Sequence, residues 1–120
     1  MNETTVEQIA EVTHEANRAI CLAFGDASQK PWQDAPEWQK ESSREGVRLH
    51  MGDPNLGPEA SHVAWCVSKI DSGWVYGPTK SESLRTHPCL LPFNSLPPEQ
   101  QAKDYVFRAV VHSVRQFLDA

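Results

Sequence analysis

The aromatic side chains of Trp74 and Tyr76 and three basic side chains are concentrated in the segment GWVYGPTKSESLRTHPCLLPF, residues 73–93. Trp74 follows a glycine that is expected to end a helix, so its indole ring can stand partly exposed and stack on a flat ring such as a base. The alternative is that Trp74 caps the core of a small domain. Tyr76 lies two residues further and shares a face with Trp74 if the segment is a strand. Its ring is expected either to pack in the core or to offer a hydroxyl to a ligand.

The candidate anion ligands of this segment are Lys80, Arg85 and His87. Arginine binds a phosphate with two parallel N–H groups, and lysine binds it as a point charge. His87 precedes a proline, which favours an extended backbone. Its ring can donate to a phosphate or to a backbone carbonyl that fixes the loop. For Lys80 and Arg85 the alternative is an ordinary solvated position.

Catalytic motifs are missing from the sequence, which has no GxSxG, HExxH or Walker pattern. Cys89 and His87 are two residues apart in an extended segment, which is not the geometry of a Cys–His dyad. His62 and Cys66 share a helical face, but their spacing resembles no known zinc site. We therefore predict a protein that is not an enzyme and holds no metal or cofactor, with a small hydrolase as the weaker alternative.

The composition is that of one globular domain: 120 residues, 39% hydrophobic and 22% charged. No apolar run is long enough to span a bilayer, and the start MNETTVEQIAEV is acidic, so a cytoplasmic protein is expected. The three cysteines have no CxxC spacing and indicate reduced thiols. A net charge of −5 argues against binding long nucleic acid. Because the basic residues outnumber the acidic ones only after residue 60, a phosphate is expected to bind in the second half.

Apolar residues that recur every three or four positions predict four helices. They are expected at residues 5–24, from about 36 to 49, at 58–72, and from the prolines before Glu99 to 118. The third is predicted to bury a stripe of Ala60, Val63, Ala64, Val67 and Ile70. Residues 74–93 are expected to be extended, with short strands at 74–76 and 89–91. The predicted fold is mainly α (α+β), with about four helices packed around a short two-stranded or irregular extended segment.

The stretch HVAWCVSKIDSGWVYGPTKSESLRTHPCLLPFNSLPPEQQAKDY, residues 62–105, resembles the RyR domain, a repeat of the ryanodine receptor calcium channels. The family pattern is a helix with His, Trp and a basic residue, then Gly-Trp, Tyr-Gly-Pro, His-Pro-Cys-Leu and Leu-Pro. We expect a single domain over residues 1–120, in which 1–57 form a helical N-terminal extension and 58–118 the RyR-like repeat. The matching residues are His62, Trp65, Lys69, Gly73, Trp74, Tyr76, Gly77, Pro78, Lys80, His87, Pro88, Cys89, Leu90, Phe93, Leu96 and Pro97.

The resemblance implies a nucleotide-binding cleft. Paired RyR repeats of the channels form a cleft implicated in binding adenine nucleotides, where the tryptophan of each Gly-Trp motif stacks on the base. Trp74 is the matching residue here, but this sequence has one clear repeat where the channels use two. The second tryptophan is therefore expected from another copy in a homodimer or larger homo-oligomer, or from Trp32 or Trp38. His14 and Asn17 on the first helix are further candidates for the pocket.

The sequence also resembles small stand-alone RyR proteins of bacteria and their viruses. With that resemblance comes the expectation of a cytoplasmic binding protein that senses or sequesters an adenine-type nucleotide or a nucleotide-derived signal. In a phage, such a protein would remove an immune signal of the host. The alternative is a protein-interaction or assembly module without a small-molecule ligand, because four tryptophans and nine prolines can build a docking surface.

Overall fold

The fold consists of four helices, two very short strands and two single 3₁₀ turns in a computed structural model that describes residues 2–118. This confirms the predicted mainly α fold. No helix within these residues is both long enough and apolar enough to cross a membrane. The elements are α1 (Glu3–Ala23), α2 (Glu37–Gly52), α3 (Glu59–Asp71), β1 (Val75–Tyr76), β2 (Thr86–His87) and α4 (Pro98–Leu118), with 3₁₀ turns at Trp32–Asp34 and Phe93–Ser95.

The core lies where α1 packs against α2 and α4. Val6 and Ile9 of α1, Val47 of α2 and Val111 of α4 are completely buried. Phe107 and Val114 of α4 pack against them from the side. The first two helices and the last one thus share a single hydrophobic core, although they come from opposite ends of the sequence.

Local signals set the ends of the helices. The side-chain oxygen of Asn2 accepts hydrogen bonds from the backbone N–H groups of Thr4 at 2.7 Å and Thr5 at 3.4 Å, so α1 begins two residues earlier than predicted. Gly25 and Gly73 follow α1 and α3 with φ angles of 86° and 89°, which lie in the left-handed region that glycine adopts without strain. Both predicted stop signals are confirmed.

The two strands form a parallel pair, with Val75 opposite Thr86 and Tyr76 opposite His87. The N–H of Val75 donates to the carbonyl of Arg85 at 2.9 Å. The predicted second strand at residues 89–91 is wrong. Proline follows His87 and cannot donate to a ladder, and the N–H of Cys89 turns back to the ring of His87 at 3.0 Å. The backbone after β2 is therefore a turn.

Helix α3 faces the rest of the protein with a different side from the predicted one. Val63, Val67 and Ile70 are exposed by 53%, 53% and 60%. The inward side carries His62, whose Nε2 is 2.7 Å from the carbonyl oxygen of Leu91 and donates to it. The polar and aromatic residues of α3 are thus held by the segment that follows β2, and its aliphatic stripe is left at the surface.

Two histidines, the fully buried His50 of α2 and the half-buried His112 of α4, lie between these helices with ring centroids 6.2 Å apart. Both ring nitrogens of His50 and Nε2 of His112 are buried without a hydrogen-bond partner. Burial lowers the pKa of both rings, and the charge of the nearby Arg108 lowers it further. The carboxylate of Glu59 acts on His50 in the opposite direction but does not outweigh burial. Both rings are therefore neutral in the folded protein near pH 7.

The free energy of unfolding is expected to fall as the pH is lowered through about 6.5, the pKa of an unperturbed histidine. The sign follows because His50 has a lower pKa in the folded protein than in the unfolded chain. The unfolded chain therefore binds more protons, and acid favours unfolding. Urea unfolding at several pH values measures the slope. His50→Phe should make the slope shallower, and the comparison isolates His50 because every other titrating group is shared. Identical slopes for the two proteins would contradict the expectation.

Candidate ligand-binding cleft

A cleft of about 950 Å³ opens between the four helices and the segment that follows β1. Its volume lies within the range of about 300–1,000 Å³ that is typical of small-molecule sites. The walls mix apolar and polar groups. Among the lining residues are Asn17 of α1, Trp38 of α2, Lys69 of α3 and Asp104 of α4, together with Lys80 and His87 of the segment between α3 and α4.

Two tryptophans flank the side chain of Lys69 at one end of this cleft. The Nζ atom of Lys69 lies 4.5 Å from the ring centroid of Trp74 and 5.2 Å from that of Trp38. Trp38 is 59% exposed and lines the cleft, whereas Trp74 is half-buried and lies behind Lys69. The structure thus brings Trp74 together with Trp38, one of the two residues of this chain that were named as candidates for the second ring.

Trp32, the other candidate, belongs to the core and does not reach the cleft. Its ring is 7% exposed and packs against the edge of His14 with centroids 5.6 Å apart. The guanidinium of Arg44 lies over the Trp32 ring at 5.8 Å and is held there by ion pairs with Glu7, Glu37 and Glu41. Through these contacts Trp32 packs between α1 and α2.

The two candidates on α1 both line the cleft. His14 is buried, and its Nε2 lies 2.7 Å from the carbonyl oxygen of Lys30. This hydrogen bond ties the loop before the 3₁₀ turn to α1. Asn17 is half-buried, one helical turn further along the same wall. Asn17 is therefore the better placed of the two to meet a ligand.

His87 and Lys80 stand near the Trp74 end of the cleft. The edge of the Trp65 ring packs against His87 with centroids 4.8 Å apart, and the Trp74 ring lies 6.4 Å away. Burial lowers the pKa of His87 to about 4, and the charges of Lys80 and Lys69 contribute to this shift. The ring is therefore neutral at pH 7. Because Nδ1 accepts the N–H of Cys89, the proton resides on Nε2, which can serve as a donor.

The remaining two candidates of the segment, Arg85 and Tyr76, lie away from the cleft. Arg85 adopts a φ of 53°, and its Nη1 donates to the carbonyl of Ser72 at 3.0 Å. This bond satisfies a free carbonyl at the end of α3, which is a structural role. Tyr76 is 54% exposed on β1.

The deciding comparison is with protein families. Residues 55–119 match the family model of the RyR domain. The chain belongs to the RyR domain family. The match covers α3, both strands and α4, and it includes Lys69, Trp74, Lys80 and His87. Trp38, by contrast, lies outside it on α2. The cleft therefore lies between the RyR domain and the two helices that precede it.

Sequence reasoning did not select three charged residues of the RyR domain that line the cleft: Lys69, Lys103 and Asp104. Burial raises the pKa of Asp104 to about 6, and the hydroxyl of Ser61 donates to its carboxyl from 3.4 Å. Such a carboxyl has room to accept from a ligand hydroxyl or amine. Lys69 already belonged to the family pattern, and its place beside Trp74 was the available signal. Lys103 and Asp104 reach the cleft only through the packing of α4, which no local pattern indicates.

Proposed function

We propose that this RyR domain protein binds an adenine-type nucleotide in the cleft, with the base between Trp38 and Trp74. The observation that carries the proposal is the pair of indole rings whose faces both lie within about 5 Å of the Lys69 Nζ atom. A base stacked on two rings needs about 7–8 Å between them, two contacts of about 3.5–4 Å each. The distance between the two ring centroids cannot exceed the sum of their distances to Nζ, which are 4.5 and 5.2 Å. A gap of about 7–8 Å lies within that limit, so a base could fit once Lys69 has moved.

The groups around the slot are those that a phosphate requires. Lys69 and Lys80 are close enough that the charge of Lys80 contributes to a lowered pKa of Lys69, after burial. Two cations that repel one another gain from an anion placed between them. The neutral ring of His87 supplies one further N–H. Since Trp38 lies on the same chain, a second copy is not needed to complete the pair of aromatic rings.

We further propose that the protein holds its ligand without converting it. Burial raises the pKa of the thiols of Cys66 and Cys89, so neither is an activated nucleophile at neutral pH. A binding protein of this kind acts by occupancy. It either senses a nucleotide signal in the cytoplasm or binds that signal so that another receptor cannot. A phage protein of this kind would sequester an immune signal of its host.

An assembly module is the second candidate, and the exposed stripe of Val63, Val67 and Ile70 favours it. Within residues 63–70 the single charged side chain is Lys69, which faces the cleft. Two copies could therefore meet along this stripe without burying a charge.

Isothermal titration calorimetry with AMP, ADP, ADP-ribose, cyclic ADP-ribose and cyclic dinucleotides tests the proposal. At least one of these is expected to bind with one site per chain. A folded sample that gives no heat with any of them overturns it. Sedimentation of the same sample distinguishes the assembly module from the binding protein. A concentration-dependent dimer that binds none of the nucleotides supports the assembly module.

A further inference from the structure

Lys69 fills the space in which the base is proposed to lie. Its Nζ lies over both rings, 4.5 Å from the centroid of Trp74 and 5.2 Å from that of Trp38, so the ammonium occupies space against both indole faces. Trp74 does not line the cleft, whereas Lys69, which covers its ring, does. A base can reach the face of Trp74 only after the Lys69 side chain has left.

Only weak interactions hold the ammonium of Lys69 against the two rings. Within residues 2–118 no carboxylate lies within ion-pairing distance of it. The aromatic faces of Trp38 and Trp74 are its close partners. Lys80 repels it, and the carboxylate of Glu82 attracts it from beyond ion-pairing distance. A cation held by two ring quadrupoles is stabilised modestly, and it gains more from a negatively charged group.

We propose that Lys69 occupies the base slot of the free protein and moves to the ligand's phosphate when a base enters, so that the site selects phosphorylated over uncharged nucleosides. This inference rests on the proposed nucleotide binding and adds the basis of its selectivity. An uncharged nucleoside displaces Lys69 and offers it no anion in return. A nucleotide displaces the same side chain and supplies its new partner.

The chemistry of lysine suits this exchange. Its charge sits at the end of a flexible four-carbon stem, so Nζ can move several ångströms without any change in α3. Two other arrangements predict different behaviour. If Lys69 only steadied the indoles, its removal would weaken every ligand. If it only bound phosphate from outside the slot, its removal would leave nucleoside binding unchanged.

The test is calorimetry of adenosine and ADP with the wild type, Lys69→Ala and Lys80→Ala. Lys69→Ala is expected to bind adenosine between about 5-fold and about 30-fold more tightly, because two cation–π contacts no longer have to be broken. Its preference for ADP over adenosine is expected to fall by at least about tenfold. Lys80→Ala is the matched control, since it removes a cation of the cleft that does not lie between the indoles. It should weaken the binding of ADP and should not tighten the binding of adenosine, because Lys69 then keeps its place against the indoles.

Each outcome decides the proposal. Adenosine binding that is unchanged, weakened or undetectable in Lys69→Ala overturns the inference, and if ADP still binds, the proposed function stands. No binding of either ligand to any of the three proteins overturns the inference, and the proposed function falls with it only if the other nucleotides also give no heat. Far-UV circular dichroism checks folding, and Lys69→Met, which also lacks the charge, replaces the alanine variant should that one unfold. Its affinity for adenosine is expected to rise as well, by a smaller factor, because its stem still fills part of the slot.

Discussion

Replacing Trp74 by alanine is expected to weaken ADP binding between about 5-fold and about 150-fold, the loss that removal of one stacked aromatic ring produces. Lys69 lies over this ring and separates it from the cleft, so removal of the ring takes away one face of the proposed base-binding site. Calorimetry with ADP measures the change. Trp38→Ala should cause a loss of the same order, because that ring forms the other face.

Tyr76→Ala is the matched control for this prediction. It removes an aromatic ring two residues away, from a side chain that is 54% exposed and does not line the cleft. Its affinity for ADP should stay within about twofold of the wild type, since a change at an exposed site away from the ligand has little to act on. Equal losses for Trp74→Ala and Tyr76→Ala would indicate a general effect on the segment and would contradict a stacking role for Trp74.

The ends of the helices followed from the sequence because single residues determine them. Gly25 and Gly73 provide backbone conformations that other residues adopt only with strain, and Pro36 immediately precedes α2. The apolar pattern alone predicts the start of α1 two residues late, because the helix begins at the cap that Asn2 provides. Such signals act within one helical turn, which makes them readable without knowledge of the tertiary structure.

Which side of a helix is buried did not follow from the same pattern. The aliphatic period of Val63, Val67 and Ile70 is real, but these side chains are exposed. A hydrophobic period shows that a helix has an apolar stripe, not what covers it. In α3, specific contacts of His62 and Trp65 with residues 87–91 determine the orientation. Those contacts depend on how a distant loop folds back.

Only part of the candidate site could be predicted from the sequence, because long-range contacts decide the rest. Trp74 is marked by its own neighbours, a glycine before it and a short strand after it, but nothing near Trp32 or Trp38 reveals which one faces the cleft. The difference arises from Arg44, whose ion pairs hold it over Trp32 and help to keep that ring in the core. Long-range ion pairs of this kind leave no local trace in a sequence.

Ile9→Ala is expected to lower the free energy of unfolding by about 2–5 kcal/mol, the usual cost of removing a fully buried branched side chain. Ile9 is 0% exposed and belongs to the cluster that joins α1 to Val47 of α2 and Val111 of α4. Urea unfolding followed by far-UV circular dichroism gives the value. Leu22→Ala is the control on the same helix. Leu22 is 51% exposed, and its substitution should cost less than about 1 kcal/mol.

The same variant tests whether the helices before the RyR domain are part of one folding unit with it. Val111 lies within the family match, and Ile9 lies outside it, yet both are completely buried in one cluster. The cavity left by Ile9→Ala should therefore destabilise α4 as much as α1. In a Trp32→Phe, Trp38→Phe background, tryptophan fluorescence reports on Trp65 and Trp74 in the RyR domain alone, and circular dichroism reports on all four helices. Their midpoints should shift together, because a core shared by both regions unfolds as a whole, whereas a separable extension would give two transitions and leave the fluorescence midpoint unmoved.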